Sequence, residues 1–190
     1  HGGDIPEALV PFVIHPVTGN EPIDTKSREM ALVYNIPLVV SGKLGALPQP
    51  VQTAGFRAMM LEGIPSILAE SGQQGILNLE DAERHLVGLR NIMIHLGMRQ
   101  GEVVNTVKRL FSEEHSAMRS EFEAMWYPYV HLGEMVSTGQ IIGQYRNFFG
   151  EPIADVKAPL DGHITVIRTS PNVATGNVII EMDRIIGKEA

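Results

Sequence analysis

The chain has 190 residues, 44% apolar and 19% charged, with a formal net charge of −7. That is enough for one large domain or two small ones with real cores, and it excludes general disorder. The acidic, well-mixed charge argues against nucleic acid and anionic membranes as partners, and no apolar run approaches the roughly 20 residues of a membrane span. Cysteine is absent, which excludes disulfides, thiolate metal sites and a cysteine nucleophile. A reducing cytoplasm fits this composition. The chain opens at His1 with no signal peptide ahead of it, so the expectation is that something upstream has been removed or that the sequence starts mid-gene.

Residues 10–14 are a short apolar run bounded by prolines and predict a buried strand. A turn-rich stretch follows, and Asp24 or Thr25 is the expected cap of a helix reaching about Tyr34. Residues 36–40 predict a second strand and residues 41–50 a loop. Residues 53–62 predict a helix with Phe56, Met59 and Met60 on one side, closed by Gly63 with Pro65 beyond. Residues 66–69 predict a short strand that runs into Glu70-Ser71-Gly72. Asn78 then caps a helix over residues 79–96, with acids in its first turn where the helix dipole favours them. Leu86, Leu89, Ile92, Met93 and Leu96 are its expected buried stripe. This alternation of strand and helix predicts an α/β layer with mainly parallel strands.

Residues 101–123 are charged and read as a connector. From Trp126 the texture changes to short β-type runs at 127–131, 141–145, 162–168 and 177–182, separated by Gly, Pro and Asn. They predict a small all-β module over residues 124–190, after an α/β part with its connector over 1–123. Residues 132–143 and 173–180 rhyme as a turn, a gap and a Gly leading an apolar strand, which suggests a pseudo-repeat.

The sharpest chemical feature is Glu70, a carboxylate where an apolar strand ends and a glycine-rich loop begins. In parallel α/β folds ligands gather at such strand ends, and a Glu there suits a general base. Against this stands the plain fact that most loop acids are only solvated. His1-Gly2-Gly3-Asp4 is the second feature: imidazole is a common zinc ligand, and the glycines leave room for close approach. A single terminal His is not a metal motif by itself. His85 and His95 are ten apart, which is not a helical ligand pair, and His15, His115, His131 and His163 are isolated, so each reads as structural or surface. The sequence holds no HExxH, GxSxG, P-loop or GxGxxG.

The stretch Ile64-Pro65-Ser66-Ile67-Leu68-Ala69-Glu70-Ser71-Gly72-Gln73-Gln74-Gly75 resembles the catalytic-glutamate segment of the succinylglutamate desuccinylase/aspartoacylase family, which has an apolar strand, Glu-x-Gly and a Gln/Gly-rich turn. His1-Gly2-Gly3 resembles the end of that family's Asp-Leu-His-x-Gly segment. Val136-Ser137-Thr138-Gly139-Gln140 and Lys157-Ala158-Pro159-Leu160-Asp161-Gly162 resemble its β module. The resemblance implies part of a zinc-carboxypeptidase-like α/β/α layer followed by a small biotinyl/lipoyl-like module. It implies a zinc-dependent amidohydrolase, a deacylase for a small N-acyl amino acid or diamine, cytoplasmic and homo-oligomeric. By position His1 matches a zinc ligand and Glu70 the general acid/base. Arg57 lies roughly where some relatives keep a substrate-binding arginine.

The two other zinc ligands of the family come from a His-x-x-Glu segment upstream. His131-Leu132-Gly133-Glu134 has that spacing but sits in the β module, after His1, and is read as coincidence. The chain alone is therefore expected to be an incomplete and inactive fragment. Two rivals remain open. One is a carrier module, although Lys157 lacks the flanking methionines of a biotinyl/lipoyl lysine. The other is a non-catalytic binding protein on the same fold.

Overall fold

The computed structural model describes residues 2–43 and 54–189, apart from the side chains of Lys43, Ala54, Phe56 and Met60. In chain order the elements are β1 (Glu7–Leu9), β2 (Phe12–Val17), α1 (Glu21–Val33), β3 (Leu38–Lys43), α2 (Ala54–Glu62), β4 (Leu68–Glu70), α3 (Leu79–His95) and β5 (Leu110–Arg119). They continue with β6 (Ala124–Pro128), β7 (Met135–Val136), β8 (Ile141–Arg146), β9 (Pro152–Lys157), β10 (Gly162–Arg168), β11 (Asn172–Val173) and β12 (Val178–Lys188). A large sheet runs β1-β10-β12-β5-β3-β2-β4, with β7 also paired to β10, and a smaller one runs β11-β6-β8-β9. No helix among the described residues is long and apolar enough to cross a membrane.

β2, β3, β4, α2 and α3 appear close to where the sequence predicts them, whereas β1 was not predicted and β3 runs to Lys43, into the predicted loop over residues 41–50, the rest of which lies outside the described residues. Three further corrections follow. Helix α1 starts at Glu21, after Asn20 and with Pro22 in its first turn, so neither Asp24 nor Thr25 is its cap. Asp24 instead ties the preceding turn: its carboxylate accepts from the Thr18 backbone N–H (2.8 Å), the Thr18 hydroxyl (2.6 Å) and the Gly19 N–H (2.9 Å). Strand polarity is mixed. β2–β3 and β3–β5 are parallel, but β4 runs antiparallel to β2, with Phe12 opposite Glu70. Alternation of strand and helix sets the order of elements, not the direction of each strand.

The third correction concerns α3. Asn78 caps it as expected, its side chain accepting from the Glu80 N–H. Of the expected apolar stripe Ile92 packs against the cluster around Tyr34, but Leu86, Leu89, Met93 and Leu96 are exposed. The helix docks through Gly88 and Asn91. A Cβ on Gly88 would stand 2.6 Å from the Tyr34 ring, so only glycine lets that ring lie on the helix. Asn91, fully buried, donates to the carbonyls of Val33 (2.8 Å) and Val104 (2.7 Å) and accepts from the Val104 N–H.

The stretch read as a connector contains β5, which joins β3 on one side and β12 on the other. Its charged residues mask the strand pattern because both faces carry ionic contacts: Glu114 with Arg184 (2.9 Å) on one, His115 with Asp183 (3.4 Å) on the other. The large sheet therefore runs without a break past residue 123, through β12 and β10. The main core lies between the two sheets and includes Trp126, Ile142, Tyr145, Ile164, Ile180 and Met182. A second cluster of Val13, Ala31, Tyr34, Ile36 and Val39 packs α1 on β2 and β3.

Candidate active site

Glu70 is the last residue of β4, and the chain turns sharply after it. Gly72 has φ +105°, and Gln74 and Gly75 have φ +57° and +62°. Such left-handed backbone is cheap for glycine and uncommon for glutamine. The turn is tied to the start of α3. The buried Ser71 hydroxyl donates to Asp81 Oδ1 (2.6 Å), and Arg84 donates both to Ser71 Oγ (2.7 Å) and to the same carboxylate.

Residues 2–7 lie along this turn. The Gly3 N–H donates to the Gly72 carbonyl (2.9 Å), and the Gln74 N–H donates to the Glu7 carbonyl (2.8 Å). A Cβ on Gly2 would stand 3.0 Å from the Ser71 carbonyl oxygen, so the close approach suits a glycine there. The segment that begins at His1 thus runs beside the turn that follows Glu70. His1 itself lies outside the described residues.

Burial pushes the Glu70 carboxyl up to about 7, because a half-buried carboxylate loses hydration. The neighbouring carboxylates of Glu7 and Asp4 push it in the same direction, while His85 opposes them. His85 closes the other side of the turn. The Tyr34 hydroxyl donates to its Nδ1 (2.9 Å), and its Nε2 faces the Ser71 carbonyl at 3.4 Å. A carbonyl only accepts, so these partners assign the proton to Nε2. Burial lowers the His85 pKa and favours the neutral ring. An open cleft of about 370 Å³ lies here, lined by Gly3, Ser71, Gln73, Asn78 and His85 among others.

Of the residues singled out in the sequence, Glu70 and the His1 segment come together. Arg57 is exposed on α2. His131 and Glu134 close a turn, the Glu134 carboxylate accepting from the His131 backbone N–H (2.9 Å). His15 is buried in β2, its Nε2 paired with the Ser41 hydroxyl (2.9 Å), and burial lowers its pKa to about 4. Sequence reasoning missed Asp4, Glu7, His85 and Glu181. Glu181 is raised by burial and by the charges of Glu7, Asp183 and Glu70. The available signals were the acid that ends His1-Gly2-Gly3-Asp4 and the alternation Glu181-Met182-Asp183 within an apolar strand.

Among the described residues, no three His, Cys, Asp or Glu side chains stand together as a metal site. No family model matches the sequence, and no curated protein matches it. Solved structures do match the fold. The product-bound ectoine utilization protein EutE (DoeB) of Ruegeria pomeroyi superposes with TM-score 0.83 at 20% identity, over 97% of this chain and 56% of that one. A succinylglutamate desuccinylase of Silicibacter sp. gives TM-score 0.83 at 19% identity, over 97% and 56%. An aspartoacylase family protein of Mesorhizobium loti gives 0.74 at 17% identity, over 98% and 56%. The chain has the fold of succinylglutamate desuccinylase/aspartoacylase proteins and spans a little over half the length of these structures.

Proposed function

We propose that the protein is a deacylase that hydrolyses the amide bond of a small N-acyl amino acid or diamine, with Glu70 as the proton-transfer group. The observation that carries this reading is Glu70 itself. It is a half-buried carboxyl titrating near 7, at a strand end beside a glycine-lined turn, in a chain with the fold of proteins named as desuccinylases and aspartoacylases. A group that is half ionised near neutrality can both take and return a proton. As ionised carboxylate, Glu70 removes a proton from the water whose oxygen bonds to the amide carbon. As carboxylic acid, it gives a proton to the nitrogen while the C–N bond breaks. Acid and amine leave, and Glu70 is restored.

Zinc belongs to this proposal through the resemblance alone. The described residues do not form a zinc site, and the proposed ligand His1 lies outside them. The remaining donors, and with them activity, would come from beyond these 190 residues. Arg57 as a contact for the substrate carboxylate, the division into an α/β part over 1–123 and a biotinyl/lipoyl-like β module over 124–190, a homo-oligomeric state and a cytoplasmic location are parts of the same proposal.

The test is amine release from N-acetyl and N-succinyl amino acids and diamines by the full-length protein that carries this chain. Glu70→Gln is expected to lower turnover by about 10²–10⁴-fold with the circular dichroism spectrum unchanged. Undiminished turnover in Glu70→Gln would remove the proposed role. Absence of turnover in the unaltered protein would favour a non-catalytic binding protein on this fold.

A further inference from the structure

The polar face of the large sheet carries a second group of titratable side chains, away from β4. Asp183 on β12 is only 2% exposed. It accepts from the hydroxyls of Ser112 on β5 (3.1 Å) and Thr165 on β10 (2.8 Å), and His115 Nδ1 lies 3.4 Å from it. His115 Nε2 in turn stands 3.7 Å from Glu181 Oε2. A buried carboxylate needs such partners, and here three strands supply them. The result is a fixed line, Asp183–His115–Glu181. Its Asp183 end is closed, while the Glu181 side chain is about one quarter exposed.

The sheet register shows where the open end points. Glu181 pairs with Val166 on β10, and Val166 pairs with Leu9 on β1, so the three side chains share a face. Glu7, two residues before Leu9, lies on the same face, while Ile180 and Met182 turn the other way into the core. The Glu7 carbonyl holds the Gln74 N–H in the turn that follows Glu70. The face that carries Glu181 therefore leads directly to the candidate active site.

We infer that Asp183 and His115 are positioning residues that fix Glu181 as a second carboxylate of the site containing Glu70. Asp183 orients the imidazole through Nδ1, and the imidazole holds the Glu181 carboxylate toward Glu7 and Glu70. Burial by itself would lower the His115 pKa. The hydrogen bond and charge of Asp183, with the charge of Glu181, outweigh it and raise the pKa, which favours the cationic ring. The charged groups facing this line are Asp183 and Glu181 on β12, with Glu7 on β1 and Glu70 on β4 beyond Glu181. The assignment to an active site rests on the hydrolytic reading, but its test reads no turnover, so the two can fail separately.

The test follows the ring nitrogen shifts of His115 by NMR from about pH 4 to about pH 9, identified by their loss in His115→Gln. Glu181→Gln is expected to lower the His115 midpoint by about one unit, because a carboxylate beside the cation is lost. Glu70→Gln is expected to lower it by less, in the same direction. A His115 midpoint unmoved by Glu70→Gln would make the line a closed structural pair and overturn the inference. So would a midpoint unmoved by Glu181→Gln. Should Glu181→Gln fail to fold, Glu70→Gln decides alone.

Discussion

Around Trp126 the two sheets meet in a dry core, whereas around Glu70 polar contacts do most of the joining. Trp126, Ile142, Ile164, Ile179, Ile180 and Met182 are all at most 1% exposed. Gly143 is present because a Cβ there would stand 2.2 Å from the Trp126 ring. In the α/β region the packed cluster is smaller. Helix α3 is seated by Gly88 against Tyr34, by Asn91 and by the Tyr34–His85 hydrogen bond, and the turn after Glu70 is seated by Ser71, Asp81 and Arg84. Packing is strong and undirected, while hydrogen bonds are weaker but fix angles. The region around Glu70 is thus the one organised by directed contacts. The region that supplies most buried apolar area also carries, on its opposite face, the line ending in Glu181.

The largest effect that follows from this contrast is in the core. Trp126→Ala should destabilise the protein by about 3–5 kcal/mol, through lost burial and the cavity left behind. Urea unfolding followed by far-ultraviolet circular dichroism measures it, since Trp126 is the chain's one tryptophan and fluorescence would be lost. A loss under about 1 kcal/mol would mean that the two-sheet core does not dominate stability, and the contrast would collapse.

The sequence was most readable where local signals and tertiary contacts agree. Asn78 before an acidic first turn gave α3 its start, and residues 162–168 gave β10 its full span. It misled where tertiary contacts override the local pattern. The leucines of α3 follow a helical stripe, but Gly88 and Asn91 decide the docking face, and nothing in their local sequence says that Tyr34 will lie on that glycine. β5 was missed because Glu113, Glu114 and His115 break its apolar rhythm, and their partners Arg184 and Asp183 lie some seventy residues away. The placement of Glu70 was legible because the strand end and the glycine turn are adjacent to it in sequence. Glu7 and Glu181 were not, because only the pairing of β1, β10 and β12 brings them toward Glu70.

A smaller effect sharpens the electrostatic half of the comparison. Glu70 has a folded pKa of about 7, above the ~4.3 of an unfolded glutamate. Between those values the folded state keeps a proton that the unfolded state has released. This contribution to stability is therefore complete below the unfolded value and is lost as pH rises through 7. Glu70→Gln cannot ionise, so its melting temperature should fall less than that of the unaltered protein between about pH 5 and about pH 8. Some slope remains, because Glu181 and His115 are also raised and act with the same sign. Identical slopes would mean that Glu70 is not held in a desolvated position.

The smallest effect concerns the face of α3 that a helical-wheel reading would bury. Leu89 is 53% exposed, and the residue just before it, Gly88, makes the helix contact. Little apolar area is withdrawn from water at Leu89, so Leu89→Gln should change the stability of this chain by no more than about 0.5 kcal/mol in urea unfolding. Glutamine also keeps a good helix propensity, which removes the backbone as a confounding source of change. A loss comparable to Trp126→Ala would mean that the leucine stripe is covered in solution. Helix α3 would then be held by apolar packing as the two-sheet core is, and the Gly88, Asn91 and His85 contacts would no longer explain how the site keeps its shape.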